Sequence, residues 1–433
     1  MRDKKVLIIT YYWPPSGGSG VQRWLKFVKY LPQFGWEPYV FTPEKPFFHI
    51  KDDSLLKDVP PEAEVIHFPI WEPYAAFHKL SKLSGSEVQV ASPQSNKSFF
   101  AKVSTWIRGN FFIPDPRVFW VRPSVRFLED FIRDNKIRII ITTGPPHSVH
   151  LIGLRLKQKD STLRWLADFR DPWSEWGLLD SLRVGSFARW MHKRLEGKVL
   201  RSADRILTIT PFYVKQFQKL SGRKVQLLTN GFDADDFRDL VYKPSEKFMI
   251  RHVGIVNEKC NPRPFMNALG QLMLADSDFA QHVAVEFIGE VHPDFKAFLR
   301  ASEILQTVTR FTGNIPHQQL IATYGESSLL LLILTGYKDA EGYMPGKLFE
   351  YLATGLPVLG VGPVRGDAAL LMKESGVGEM VAEDDSFRLK EIVLRHFSNW
   401  KQHNGLRAEK NLSSPYSRES LTNQLAGILE ELR

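Results

Sequence analysis

Lys347 and Glu350 stand three residues apart in the stretch EGYMPGKLFEYLATGLPVLGVG, residues 341–362. On a helix that spacing puts both side chains on one face. Pro345-Gly346 suits a first helical turn, so Lys347 falls beside the unsatisfied backbone N–H groups that a helix N-terminus offers to an anion. The lysine supplies a point charge for a phosphate, and the glutamate can accept hydrogen bonds from a ribose diol. An ordinary i,i+3 Lys–Glu pair, its acid near a helix N-terminus, fits the same letters.

A second candidate is VLIITYYWPPSGGSGVQRWLKF, residues 6–27. A strand runs into a turn holding Gly17, Gly18, Ser19 and Gly20, then into a helix. Such a turn lets backbone N–H groups approach a phosphate. Its spacing is not that of a dinucleotide fingerprint, because Arg23 stands where the third glycine would. The second strand is also expected to end at Thr42, where a dinucleotide site would place an acid for the ribose. Both points disfavour a nicotinamide or flavin cofactor. A tight turn without ligand remains open.

The third set is TTGPPHSVH and WLADFRDPW, which bring His147, Asp168, Arg170 and Asp171 to strand ends. Acid, base and histidine together suggest a polar acceptor pocket. A helix cap for His147 and an internal Asp168–Arg170 pair are the structural alternatives. No H-E-x-x-H, G-x-S-x-G or G-x-x-x-x-G-K-[ST] motif occurs, nor a compact His/Asp/Glu group with metal-ligand spacing. No metal site is expected.

Elements at both ends must hold these residues in place. Strands are expected at Val6–Thr10, Tyr39–Phe41, Val65–His67, Ile137–Thr142, Trp165–Ala167, Ile206–Ile209 and Val225–Leu228, with a helix at Val21–Leu31. A second series follows at Met249–Val253, Val283–Ile288, Leu329–Leu334 and Pro357–Val361. Strands alternating with helical periods imply α/β architecture and parallel sheets. At 433 residues two domains are expected, joined near residues 238–246. The division expected is 1–240, completed by a C-terminal helix within 415–433, and 241–414. Leu421, Leu425, Ile428 and Leu432 form that helix's apolar stripe. Two doubly wound domains imply a cleft, with ligands at the carboxyl ends of strands.

Net charge is +9, which favours anionic partners, although the cations form no recognisable nucleic-acid motif. The one cysteine, Cys260, fits a reducing cytoplasm. The Val6–Ile9 run is too short for a signal peptide, and no window approaches the roughly 20 apolar residues of a membrane span.

Together these stretches resemble the retaining GT-B glycosyltransferases, glycosyltransferase family 4, over nearly the whole chain. PPSGGSGVQR matches the N-terminal glycine loop, and ADRILTITPF with LLTNGFDADDF the end of the first domain. FTGNIPHQQLIATYGESSLLLLIL matches the segment near the nucleotide base, PGKLFEYLATGLPVLG the donor helix, and SRESLTNQLAGILEEL the final helix. The resemblance implies two Rossmann-like domains facing a central cleft. It implies a UDP-, GDP- or similar nucleotide sugar donor, no cofactor and no metal. The reaction implied is hexosyl transfer with retention to a glycan or lipid-linked acceptor, as in surface-polysaccharide assembly. Glu350 would hold the ribose, and Lys347 with Gly346 and the Gly18–Gly20 loop the diphosphate. Asn257, Lys259 and Arg263 are further diphosphate candidates, Asn314 and Ile315 lie in the base segment, and His147 and Asp171 would orient the acceptor. One departure is that the family's first glutamate, eight residues before Glu350, falls on Gly342, with Glu341 displaced by one. A non-hydrolysing sugar-nucleotide epimerase of the same fold, or a non-enzymatic anion-binding protein, remains an alternative.

Residues 97–122 place Phe99, Phe100, Val103, Trp106 and Ile107 on one helical face among Lys97, Lys102 and Arg108, with Asp115 the lone acid. Such a helix docks on anionic lipid or packs on its own domain. The first alternative would put the protein at the inner face of a membrane.

Overall fold

The computed structural model describes residues 4–46, 51–72, 99–175, 177, 179, 182–243, 245–336, 339–402 and 410–433. The chain divides into two compact units, Met1–Thr229 with Leu421–Arg433, and Asn230–Ser420.

In the first unit β1 (Lys5–Ile9), β2 (Glu37–Glu44), β3 (Glu64–Pro69), β4 (Ile139–Gly144), β5 (Arg164–Phe169), β6 (Arg205–Thr208) and β7 (Gln226–Leu227) form one sheet in the order β3-β2-β1-β4-β5-β6-β7. Every pairing is parallel. Val6 to Ile9 and all of β4 are buried, as the central strands of a sheet covered on both faces must be. One face packs Val6 and Ile8 with Trp24, Val28 and the stripe Leu421, Leu425, Leu429 and Leu432 of the C-terminal helix Arg418–Leu432. The other face packs Leu7, Ile9 and Ile140 with Trp120, Ile152 and Trp165.

In the second unit β8 (Phe248–Val253), β9 (Val283–Ile288), β10 (Thr309–Thr312), β11 (Leu329–Ile333), β12 (Val358–Val361) and β13 (Gly378–Val381) run β10-β9-β8-β11-β12-β13, again all parallel. Counted from its own first strand, each sheet therefore follows the doubly wound order 3-2-1-4-5-6. The order reverses between β1 and β4 in the first unit and between β8 and β11 in the second. Ligands of such sheets bind at that reversal.

One expectation needs correcting. Strand β2 does not stop at Thr42 but continues to Glu44, pairing register by register with β3 up to Pro69. An acid does stand at the end of the second strand, so Thr42 gives no argument against a dinucleotide. The argument from Arg23 survives, because that side chain is buried in the core described below.

Candidate functional site

At the second unit's reversal, the helix Gly346–Thr354 begins after β11 with Pro345 at its N-cap. No side chain among the described residues caps it, and its first turn carries no acid. The Leu348 amide bonds back to the Pro345 carbonyl at 3.0 Å, and the Gly346 and Lys347 amides ahead of it are the ones placed to meet an anion. Lys347 reaches back across the reversal and donates from Nζ to the carbonyl of Val253, the last residue of β8, at 2.8 Å. Gly254 follows with φ +118°, and a Cβ there would lie 3.1 Å from the Lys347 Nζ. A glycine is needed both for the left-handed backbone and for that approach. Burial pulls the lysine's pKa below its ordinary value, against the opposing influence of Cys260 and Glu350. Beneath it His252 donates Nδ1–H to the Leu331 carbonyl at 3.0 Å. Burial, then the nearby Lys347 charge, keeps His252 neutral.

Glu350 is held by two side chains of a different helix, His317–Tyr324. The Tyr324 hydroxyl donates to Oε2 at 3.0 Å, and His317 Nε2 lies 3.1 Å from Oε1. Tyr324 is fully buried. Burial, and then Glu350 itself, raise its pKa well above the phenol value, so the hydroxyl keeps its proton and remains a donor. One partner on each oxygen fixes the carboxylate plane, while each oxygen retains a lone pair for a diol. Neither partner's role follows from motif reading. The signal was the 317, 321, 324 spacing, which puts His317, Ile321 and Tyr324 on one helical face.

The other second-unit candidates are distributed differently. Asn257 Oδ1 accepts from the backbone N–H groups of Lys259 and Cys260 at 2.9 and 2.8 Å, shaping the loop after β8. Lys259 is exposed. Arg263 opens the helix Arg263–Ala275, donates from Nη2 to the Asp294 carbonyl at 3.0 Å and lies over the Phe298 ring. Those contacts turn it toward the helix Pro293–Arg300. Asn314 is exposed in the loop after β10, whereas Ile315 packs against the core around Tyr324 and Leu348. Gly342 is buried and Glu341 exposed within a short 3-10 turn, Ala340–Gly342.

In the first unit Gly18 precedes the helix Ser19–Tyr30 with φ +88°. Gly20 lies in that helix's first turn. Arg170, just beyond β5, donates to the carbonyls of Gly20 at 2.6 Å, Pro145 at 2.7 Å and Gly144 at 3.2 Å. One guanidinium thus ties the glycine loop after β1 to the Gly-Pro-Pro turn after β4. Below it Arg23 and Asp168 form a buried pair: Nη2 to Oδ1 is 2.9 Å and Nε to Oδ2 3.2 Å. Trp24 Nε1 and Thr143 Oγ1 also donate to Asp168, while Arg23 donates to the Leu228 and Thr229 carbonyls. Burial alone would raise the Asp168 pKa. Arg23 and these donors hold it below the carboxylate range. Asp168 is a structural hub.

His147 occupies the N-cap of the helix Ser148–Lys159 without a side-chain capping bond. Its ring stacks on Trp173 at 5.1 Å and 6°. Burial lowers its pKa well below 6.5, helped by His150, His192 and Arg170, so the ring is neutral. Burial raises the Asp171 carboxyl against the pull of Arg170. Asp171 stands two residues from Trp173, so this stack sets the two candidates on adjoining segments. A cavity of about 430 Å³ opens beside the glycine loop. Its lining includes Trp13, Thr42, Glu44, Lys51 and His67, at the ends of β1, β2 and β3.

Among solved structures, the chain superposes over 99% of its length on 99% of a sucrose-phosphate synthase from Thermosynechococcus elongatus, with TM-score 0.63 and 14% identity. The lipopolysaccharide-biosynthesis glycosyltransferase WaaG matches over 98% of this chain and 99% of its own, with TM-score 0.54 and 14% identity. The fold is GT-B. A protein assigned as a UDP-N-acetylglucosamine 2-epimerase from Listeria monocytogenes also matches, at TM-score 0.55 and 12% identity over 99% of this chain and 96% of that one. No protein-family model matches the chain, and neither does any curated protein. In this GT-B chain each sheet reversal carries one basic side chain bonded to backbone carbonyls, Arg170 in the first unit and Lys347 in the second. Lys347 stands in a helical turn without a side-chain cap, beside an oriented carboxylate, and the helix Ser19–Tyr30 after the first unit's glycine loop is likewise without a side-chain cap.

Proposed function

We propose that this protein is a glycosyltransferase that uses a nucleoside-diphosphate sugar. The observation that carries the reading is the pairing of the Lys347 amine, on the first turn of a helix without a side-chain cap, with the oriented Glu350 carboxylate three residues on, at the β8–β11 reversal. Lys347 and the amides of that turn hold the diphosphate, and Glu350 accepts from the ribose hydroxyls. Fixed positive charge stabilises the departing diphosphate, where negative charge builds up as the glycosidic bond breaks. The acceptor hydroxyl forms the new bond to the anomeric carbon from the face that the diphosphate leaves. Its proton passes to a phosphate oxygen, so configuration is retained with neither a protein nucleophile nor a metal.

His147 and Asp171 orient the acceptor, a glycan or lipid-linked sugar, at the strand ends of the first unit. The neutral imidazole and the raised carboxyl suit hydrogen bonding to sugar hydroxyls better than proton removal. The part that WaaG, a protein of similar fold, takes in lipopolysaccharide biosynthesis supports a role in surface-polysaccharide assembly. The test is a panel of UDP- and GDP-sugars incubated with and without lipid-linked acceptors. Acceptor-dependent nucleotide release is expected. An isomerised donor formed without acceptor would overturn the reading in favour of an epimerase.

A further inference from the structure

The helix Ser186–Ser202 exposes aromatic rings while burying two polar side chains alongside Ala188, Val199 and Leu200. Its buried residues include His192 and Glu196, whereas Phe187 is 70% and Trp190 51% exposed. Phe187, Trp190 and Arg194 follow an i, i+3, i+7 pattern and so share its outer face. The two rings stack at 5.8 Å and Arg194 lies over Trp190 at 5.3 Å. The polar residues beneath are internally satisfied. Glu196 accepts from the Ser174 hydroxyl and from the backbone N–H groups of Trp173 and Ser174, and Trp173 Nε1 bonds His192.

The helix Phe99–Phe111 adjoins this one. Asn110 donates to the Arg183 carbonyl at 3.2 Å and accepts from the N–H of Gly185, the N-cap of the Ser186–Ser202 helix, at 2.8 Å. Beside Asn110, Phe111 is 69% exposed and Trp106 47%. Hydrophobic rings clustered at the surface mark an interaction site. The charge around them is one-sided. Arg189, Lys193, Arg194, Lys198 and Arg201 all lie on the Ser186–Ser202 helix, whose single acid is the buried Glu196. Near the other helix, Asp115 accepts from Ser148 and Arg117 backbone N–H groups and the Ser148 hydroxyl. Glu175 at the surface pairs with Lys193 at 2.8 Å.

We propose that Phe187 and Trp190, with Trp106 and Phe111, form one face that docks the first unit on an anionic bilayer surface. The rings enter the headgroup boundary and the flanking arginines and lysines meet lipid phosphates. Aromatic rings flanked by a predominance of cations fit that occupant better than a second copy, which would bring the same positive charge to the contact. The inference takes its purpose from the lipid-linked acceptor in the transferase reading, but its geometry is independent of the donor site.

The experiment is co-sedimentation of the full chain with phosphatidylcholine vesicles, with and without phosphatidylglycerol, across a salt series. Parallel arms use Phe187→Ala/Trp190→Ala and Arg194→Gln/Lys198→Gln. Thermal unfolding checks that the variants fold, and UDP binding checks that the donor site is intact. Binding only to the anionic vesicles, weakened by salt, is expected, with a loss of about tenfold or more in the aromatic variant. No binding at low salt overturns the proposal, and so does undiminished binding by the aromatic variant. A concentration-dependent dimer that the aromatic variant abolishes, without vesicle binding, assigns the face to a second copy instead. Vesicle binding without any sugar transfer would leave the docking face standing and count against the transferase reading alone.

Discussion

The two sheet reversals share a topology and differ in what their polar groups contact. In the first unit Arg170 donates to three carbonyls and Arg23 pairs with Asp168 inside the core. The glycine loop is held from within by Arg170, which gives three of its five N–H donors to backbone carbonyls. In the second unit Lys347 makes its bond to one carbonyl, in a helical turn that, like the turn after the glycine loop, has no side-chain cap. Similar basic chemistry therefore builds scaffold at one reversal and, in the proposed reading, a binding site at the other. What separates them is how many partners the protein itself supplies.

The largest test of that contrast is on stability. Arg23→Ala leaves Asp168 buried without its ion, a change that typically costs ~3–5 kcal/mol. Denaturant unfolding is expected to show a loss of that order. A loss under about 1 kcal/mol would mean the pair is not the hub described, since exposed pairs are worth no more than that.

Lys347→Ala is expected to behave in the opposite way. Nucleoside-diphosphate affinity should fall roughly 10- to 100-fold, the equivalent of one charged hydrogen bond of about 1.5–3 kcal/mol. The melting temperature of the free protein should stay level or rise, because burial disfavours the lysine's charge. A calorimetric titration showing wild-type affinity would end the diphosphate assignment.

Glu350→Gln should cost about tenfold or less, as one hydrogen bond to the carboxylate weakens. The loss should be specific to ribose, so the variant should discriminate less between UDP and its 2′,3′-dideoxy analogue. Equal discrimination in variant and wild type would place the ribose elsewhere.

The smallest effect concerns pH. The Lys347 pKa lies below the ordinary lysine value, and the charged form binds phosphate. Affinity should decline as pH rises through that lowered pKa, before an ordinary lysine would titrate, and Lys347→Arg should flatten the decline. The unliganded fold binds this proton less tightly than the unfolded chain does. Its stability should therefore rise, not fall, between the lowered pKa and the ordinary one. A pH-independent affinity would show that the amine's charge is not used.

Much of this was legible in the sequence, for identifiable reasons. All seven strands of the first sheet and β8, β9, β11 and β12 stood out as apolar runs between turns, and the C-terminal helix by its leucine stripe. Strands β10 and β13 did not. TRFT and GEMV are short, partly exposed edge strands, the first polar at all but Phe311 and the second opening on Gly-Glu, so neither periodicity nor hydrophobicity marks them. Lys347 and Glu350 were legible because their relation is local, three residues on one helix. The Arg170 contact with Gly20 joins positions 150 apart, and the Tyr324 contact with Glu350 crosses from another helix. Only folding brings those together. Arg263 shows the converse. Its place after β8 suggests a phosphate ligand, and its contacts with the Asp294 carbonyl and the Phe298 ring of a neighbouring helix could not be read from that place.

The central claim is that the second unit's Lys347 turn, rather than the first unit's glycine loop, supplies the charge that holds the donor. Calorimetric titration of UDP and GDP into wild type, Lys347→Ala, Glu350→Ala and Asp171→Ala tests it in one series. The account requires weakened nucleotide binding in the first two variants. Asp171→Ala should bind nucleotide as wild type does and lose only sugar transfer. Full binding by Lys347→Ala alongside lost binding in Asp171→Ala would contradict it.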